Sequence, residues 1–85
     1  MLQMLKIDLG ITGTAYDDRL LQILTAAAQM ITREGVTLTD SVEDQQLQVA
    51  YAAWLWRRRD SGQGMPRMLR WLLNNRLFSE KAGRA

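Results

Sequence analysis

Cysteine and histidine are both absent from this chain of 85 residues, and proline occurs once. Their absence removes disulfides, thiolate nucleophiles and the usual zinc-ligand sets together. It also removes the side chain most often used for proton transfer at neutral pH. No apolar run approaches the roughly 18 residues that span a bilayer, and the first residues lack a signal-peptide pattern. An intracellular protein without membrane contact is therefore expected. No phosphate-binding loop stands out either, because Gly62-Gln63-Gly64 lacks the rest of any fingerprint. The chain reads as non-enzymatic, with no catalytic residue, metal site or cofactor.

What is present is ordinary globular composition, 47% hydrophobic and 24% charged, and so a folded domain rather than a disordered chain. Residues 1–85 make one domain at most. A body this small leaves much of its apolar surface uncovered, a deficit usually met by disulfides, metals or partner subunits. With the first two removed, partner subunits remain. The net charge of +2 is too small to argue for nucleic acid, but its distribution is uneven. Residues 1–44 hold three basic against seven acidic side chains, a net of −4, and residues 45–85 hold eight against two, a net of +6. The chain is acidic first and basic second.

Hydrophobic spacing predicts an all-α domain: a small four-helix bundle with a short first helix and no sheet beyond possible pairing around Val36–Thr39. Leu2, Leu5 and Leu9 share one face of that short helix, which Gly10 stops. After a Thr12-Gly13-Thr14 loop, the second helix runs from about Tyr16 to Glu34. Its stripe is Leu20, Leu24, Ala27, Ala28 and Ile31, and Gly35 closes it. The third starts at Asp40 or Ser41, which have Glu43 and Asp44 three residues on, the first pairing being a variant capping box, and it continues to about Arg59. Residues 60–64 compose a turn. Pro66 suits the first position of a fourth helix ending near Phe78, and residues 79–85 are expected to be a flexible tail.

Asp17/Asp18 and Glu43/Asp44 are paired carboxylates in first helical turns, where acids answer the positive end of the helix dipole. They are also the acidic candidates for a contact between subunits. The third helix carries two apolar surfaces: Leu47, Ala50, Tyr51, Trp54 and Leu55 on one face, Val49, Ala52, Ala53 and Trp56 on the other. Trp54 and Trp56 point roughly 200° apart. Either the helix is central and packed on two sides by its own chain, or one Trp face docks on a neighbour. Arg57, Arg58 and Arg59 end that helix, where cations are favoured; solvation, ion pairs between subunits and DNA contact are all open to them. Nine of the eleven basic residues are Arg, which suits forked pairing with carboxylates. The fourth helix has Met68, Leu69, Leu72 and Leu73 as its core stripe, with Arg67, Arg70 and Asn74 to one side. Asn74-Asn75 implies either an early helix end or a specific amide contact.

The runs Asp44-Gln45-Gln46-Leu47, Tyr51-Ala52-Ala53-Trp54-Leu55-Trp56-Arg57, Met65-Pro66-Arg67-Met68-Leu69 and Leu73-Asn74-Asn75-Arg76-Leu77-Phe78 resemble the small head–tail connector proteins of tailed bacteriophages. The resemblance extends over nearly the whole chain, including the Leu9-Gly10-Ile11 exit and the Glu34-Gly35-Val36 turn. It implies a structural adaptor of the virion neck, assembled in the bacterial cytoplasm. Such an adaptor forms a homo-oligomeric ring on the portal, twelvefold by analogy, and presents a surface to the next neck or tail completion protein. The genome passes through the channel without sequence-specific binding. No catalytic residue is carried over; the implied surfaces map to Leu47–Phe78. An acidic and a basic half on one body also suit a head-to-tail contact that closes into a ring, or else the asymmetry is only solvated. Two other readings compete. One is a helix-turn-helix DNA-binding regulator using Arg67, Arg70 and Arg76, though Trp71, Leu72 and Leu73 sit mid-helix. The other is a helical protein-binding module such as an antitoxin.

Overall fold

The computed structural model describes the backbone of residues 1–61 and 64–83, and the side chains of the same residues apart from 59–61 and 83. Among the described residues there are four helices and no strand: α1 (Leu2–Leu9), α2 (Asp17–Glu34), α3 (Val42–Ser61) and α4 (Arg67–Gly83). The domain is all-α, and α3 is its hub, packed against each of the other three helices. The cause is its double apolar surface. Leu47 and Tyr51 are buried on one side, Val49, Ala52 and Ala53 on the other. Two-sided burial of α3 is thus met within a single chain.

The α2 stripe lies where its spacing puts it. Leu20, Leu24, Ala27 and Ile31 are buried, Ala28 is half-buried, and Ile23 joins them. From α1 the core receives Leu5, with Leu2 and Leu9 packed at its margin. Gly35 ends α2 at φ 111°, in the left-handed region where an L side chain is strained. The Gly35 and Val36 N–H groups donate to the carbonyls of Thr32 and Ile31 (3.0 and 3.4 Å), a Schellman closure that delivers Val36 into the core.

Of the two starts open to α3, Ser41 is the cap: the Asp44 N–H donates to Ser41 Oγ at 3.2 Å, so Ser41 and Asp44 form the capping pair and not Asp40 and Glu43. Three boundaries differ from the sequence expectation. The backbone of α3 continues through Asp60 to Ser61; of the rest of the expected turn, Gly62 and Gln63 lie outside the described residues and Gly64 is in neither helix. Helix α4 begins one residue after Pro66, whose carbonyl accepts the Arg70 N–H at 3.0 Å. It then runs through Asn74 and Asn75 and past Phe78 to Gly83, so residues 79–83 are helix and not tail. Two things favour the extension: Arg76 pairs with Glu80 one turn on, and Lys81 sits in the last turn. Arg84 and Ala85 lie outside the described residues.

Candidate assembly surface

Helix α4 divides its side chains between two jobs. Its inner face is Leu69, Leu73, Arg76 and Glu80, a run at i, i+4, i+7 and i+11. Leu69 and Leu73 are buried. Arg76 Nε donates to Asp44 Oδ1 at 2.6 Å, Nη1 to Glu80 Oε2 at 3.0 Å, and Nη2 to the Thr37 carbonyl at 2.8 Å. Asp44 Oδ2 also accepts the Thr39 N–H and hydroxyl, each at 2.8 Å. One guanidinium therefore ties α4 to the start of α3 and to the segment leading out of α2.

Burial penalises the Asp44 carboxylate, but the hydrogen bonds from Arg76 and Thr39 outweigh it and hold its pKa below the ordinary value. Hydrogen bonding to Asp44 foremost, against some desolvation, raises Arg76 further above its already high value. Hydrogen bonds from Thr37 and Arg76 lower Glu80. With its side chain 2% exposed, Asp44 belongs to the fold and is not available to a neighbour, which corrects its expected role in a contact between subunits. The reason is local: the side chain that caps α3 is the one that receives Arg76.

The other expected contact residues divide in the same way. Trp54 is half-buried; its indole N–H donates to the Gly64 carbonyl at 3.1 Å, its ring meets Tyr51 edge to face, and the Arg58 guanidinium lies 5.0 Å from its centroid. Trp56 is half-buried and packs edge to face against Tyr16 at 5.4 Å. Both tryptophans thus have partners in their own chain, and neither is the main apolar surface left over. Arg57 reaches the Asp8 carbonyl at 3.2 Å and its carboxylate at 3.7 Å. Asp17 pairs with the largely buried Lys6 at 2.9 Å, tying α1 to the start of α2. Asp18, Glu43, Arg67, Arg70 and Asn74 are exposed. The side chain of Arg59 lies outside the described residues.

The surface that sequence reasoning missed is the outer face of α4. Met68, Trp71 and Phe78 are 67%, 59% and 75% exposed, with Asn75 between them. Met68 was expected in the core stripe. It lies outside because Arg76 and Glu80 extend the buried stripe along positions 69, 73, 76 and 80, which turns position 68 away. The signal for Trp71 was its two-residue offset from both Leu69 and Leu73, about 200° around the helix. Beside this strip, a groove runs between α1, α3 and α4. Ile7 and Asp8 form one wall, Ala50 and Ala53 the floor, and Met68 and Leu72 the other wall. It consists of two adjoining hollows of about 350 and 250 Å³ that share Asp8, Ala50 and Leu72.

Comparison of the chain with protein-family models, with curated proteins and with solved structures finds no match. Among the described residues no helix is long and apolar enough to cross a membrane.

Proposed function

We propose that this protein is a structural head–tail connector of a tailed bacteriophage, a helical adaptor that assembles as a ring on the portal and offers a surface to the next neck or tail component. The observation that carries the reading is the outer face of α4. Trp71 and Phe78 are more than half exposed on a helix whose opposite face is fully engaged in the fold. The segments that resemble the connector family run through this same helix, from Met65-Pro66 to Leu77-Phe78. In a chain without disulfides, large aromatic side chains left in water mark a surface that a partner covers. The charge split, −4 over residues 1–44 and +6 over 45–85, is partly used within the chain by the Asp44–Arg76 and Asp8–Arg57 pairs, and the exposed remainder, Asp18 and Glu43 against Arg67 and Arg70, supports a contact between unlike surfaces of identical subunits.

The same face weighs against a helix-turn-helix regulator. A recognition helix needs polar side chains along its outer face to read base edges. Here Met68, Trp71 and Phe78 occupy that face. The test is co-sedimentation with rings of a tailed-phage portal protein, followed by electron microscopy of the complex. The connector reading expects a ring-shaped addition on one end of the portal. Failure to join the portal, together with duplex DNA binding that weakens steeply with salt, would replace it with the regulator.

A further inference from the structure

We infer that the outer strip of α4, with Trp71 at its centre, seats in the α1/α3/α4 groove of a second copy of this chain. The inference rests on the assembly reading and names the two surfaces that would meet.

Size comes first. Trp71 and Phe78, the strip side chains that do not also line the groove, present on the order of 300 Å², over a third of what one partner contributes to a standard interface of roughly 800 Å² per side. The flanking Arg67 and Arg70, both exposed, extend it. Length agrees as well. Trp71 and Phe78 lie about 10 Å apart along α4, and the groove follows α3 for about 12 Å between Gln46 and Trp54. Shape is complementary in kind, since the strip carries large side chains and the groove has Ala50 and Ala53 as its floor.

Charge complementarity argues for a second copy as the occupant. Arg67 and Arg70 border the strip, whereas the groove contains Asp8 and Arg57, which offset one another, and the exposed Glu43, one turn before Gln46 on the same side of α3, leaves its border net acidic. Asp8 already faces Arg57 at 3.7 Å with both side chains half exposed, which leaves room for a second cation.

Strip and groove adjoin on one copy, with Met68 at their shared edge and Trp71 and Leu72 pointing about 100° apart. In the proposed ring each copy has two neighbours, so the contact is heterologous: each copy gives its strip to one neighbour and its groove to another. A two-fold pair, in which two copies exchange strip and groove, is the outcome that the cross-linking below separates from it.

The absence of cysteine makes the test direct. Gln46→Cys marks the groove and Asn75→Cys marks the strip; both positions are exposed, and each variant's unfolding midpoint reports that the fold is kept. The doubly substituted protein, treated with a short bismaleimide at high concentration, is expected to give a ladder of trimers and larger species. Adding Trp71→Ala to the same protein should reduce the ladder at least tenfold. Cross-linking is repeated with portal rings present, and ring binding by the unsubstituted protein is scored separately. Dimers alone, efficient cross-linking by Asn75→Cys alone, a ladder indifferent to Trp71→Ala, or no ladder with or without portal rings would each overturn the contact. Portal binding without a ladder would overturn the contact and keep the connector. A Trp71-dependent ladder without portal binding would keep the contact and overturn the connector.

Discussion

The two faces of α4 are made from the same few turns of helix and differ in every physical respect. Inward, Leu69 and Leu73 are buried, and Arg76 is held by two carboxylates and a carbonyl. Outward, Met68, Trp71 and Phe78 stand in water with a basic border. The inner face thus accounts for why α4 stays attached, and the outer face contributes little to that attachment. Substitutions on the two faces should separate stability from association.

The largest stability effect is expected at the buried ion pair. Asp44→Ala leaves the Arg76 guanidinium partly buried without its main partner and should cost roughly 3–5 kcal/mol. Denaturant unfolding would show this as a fall in midpoint. A loss below about 1 kcal/mol would mean that the pair does not hold α4. Next comes the apolar half of the same face. Leu73→Ala should cost about 2–5 kcal/mol, as should Ile31→Ala on α2, because both side chains are fully buried. In a domain stabilised by roughly 5–10 kcal/mol, either substitution endangers folding near physiological temperature.

A pH series sharpens the comparison. The folded pKa of Asp44 is below its unfolded value, so near pH 4 the unfolded state binds more protons than the folded state. The stability from the clamp is therefore fully present above the unfolded pKa and is lost as pH falls through the folded one. Glu80 shifts in the same direction and adds to the trend. The unfolding midpoint should fall on acidification below about pH 4, and Asp44→Asn should flatten that dependence. An unchanged slope in the variant would assign the acid sensitivity elsewhere.

The smallest stability effects belong to the exposed charges. Reversing Arg67 or Arg70 alone should change stability within about 0.5 kcal/mol and weaken self-association by no more than about 1 kcal/mol per pair. At about 1 M salt, where screening acts within roughly 3 Å, that charge contribution should vanish and the apolar contribution remain.

Much of this architecture could be read from residue spacing. The α2 stripe, the glycine stops and the two apolar surfaces of α3 each follow from a local period, and each is found. The start of α4 was legible from Pro66 to within one residue, but its end was not, because continuation past Phe78 draws on the Arg76–Glu80 pair within a polar stretch. Asp44 and Arg76 are 32 residues apart, so no window along the chain joins them. Without that link, Asp44 reads as a first-turn acid and Met68 as core. The tryptophans show a related limit: Trp54 and Trp56 are opposed on α3, yet each has a partner within the fold, and the exposed tryptophan is Trp71.

Whether the outer face of α4 serves association and not folding is tested by replacing Trp71 and Phe78 together by Ala, then recording both the unfolding midpoint and the sedimentation behaviour, alone and with portal rings. The expected result is a loss of stability within about 1 kcal/mol, as for two exposed positions, with self-association and ring formation on the portal abolished. A variant that unfolds readily, or one that assembles as well as the parent, would contradict it.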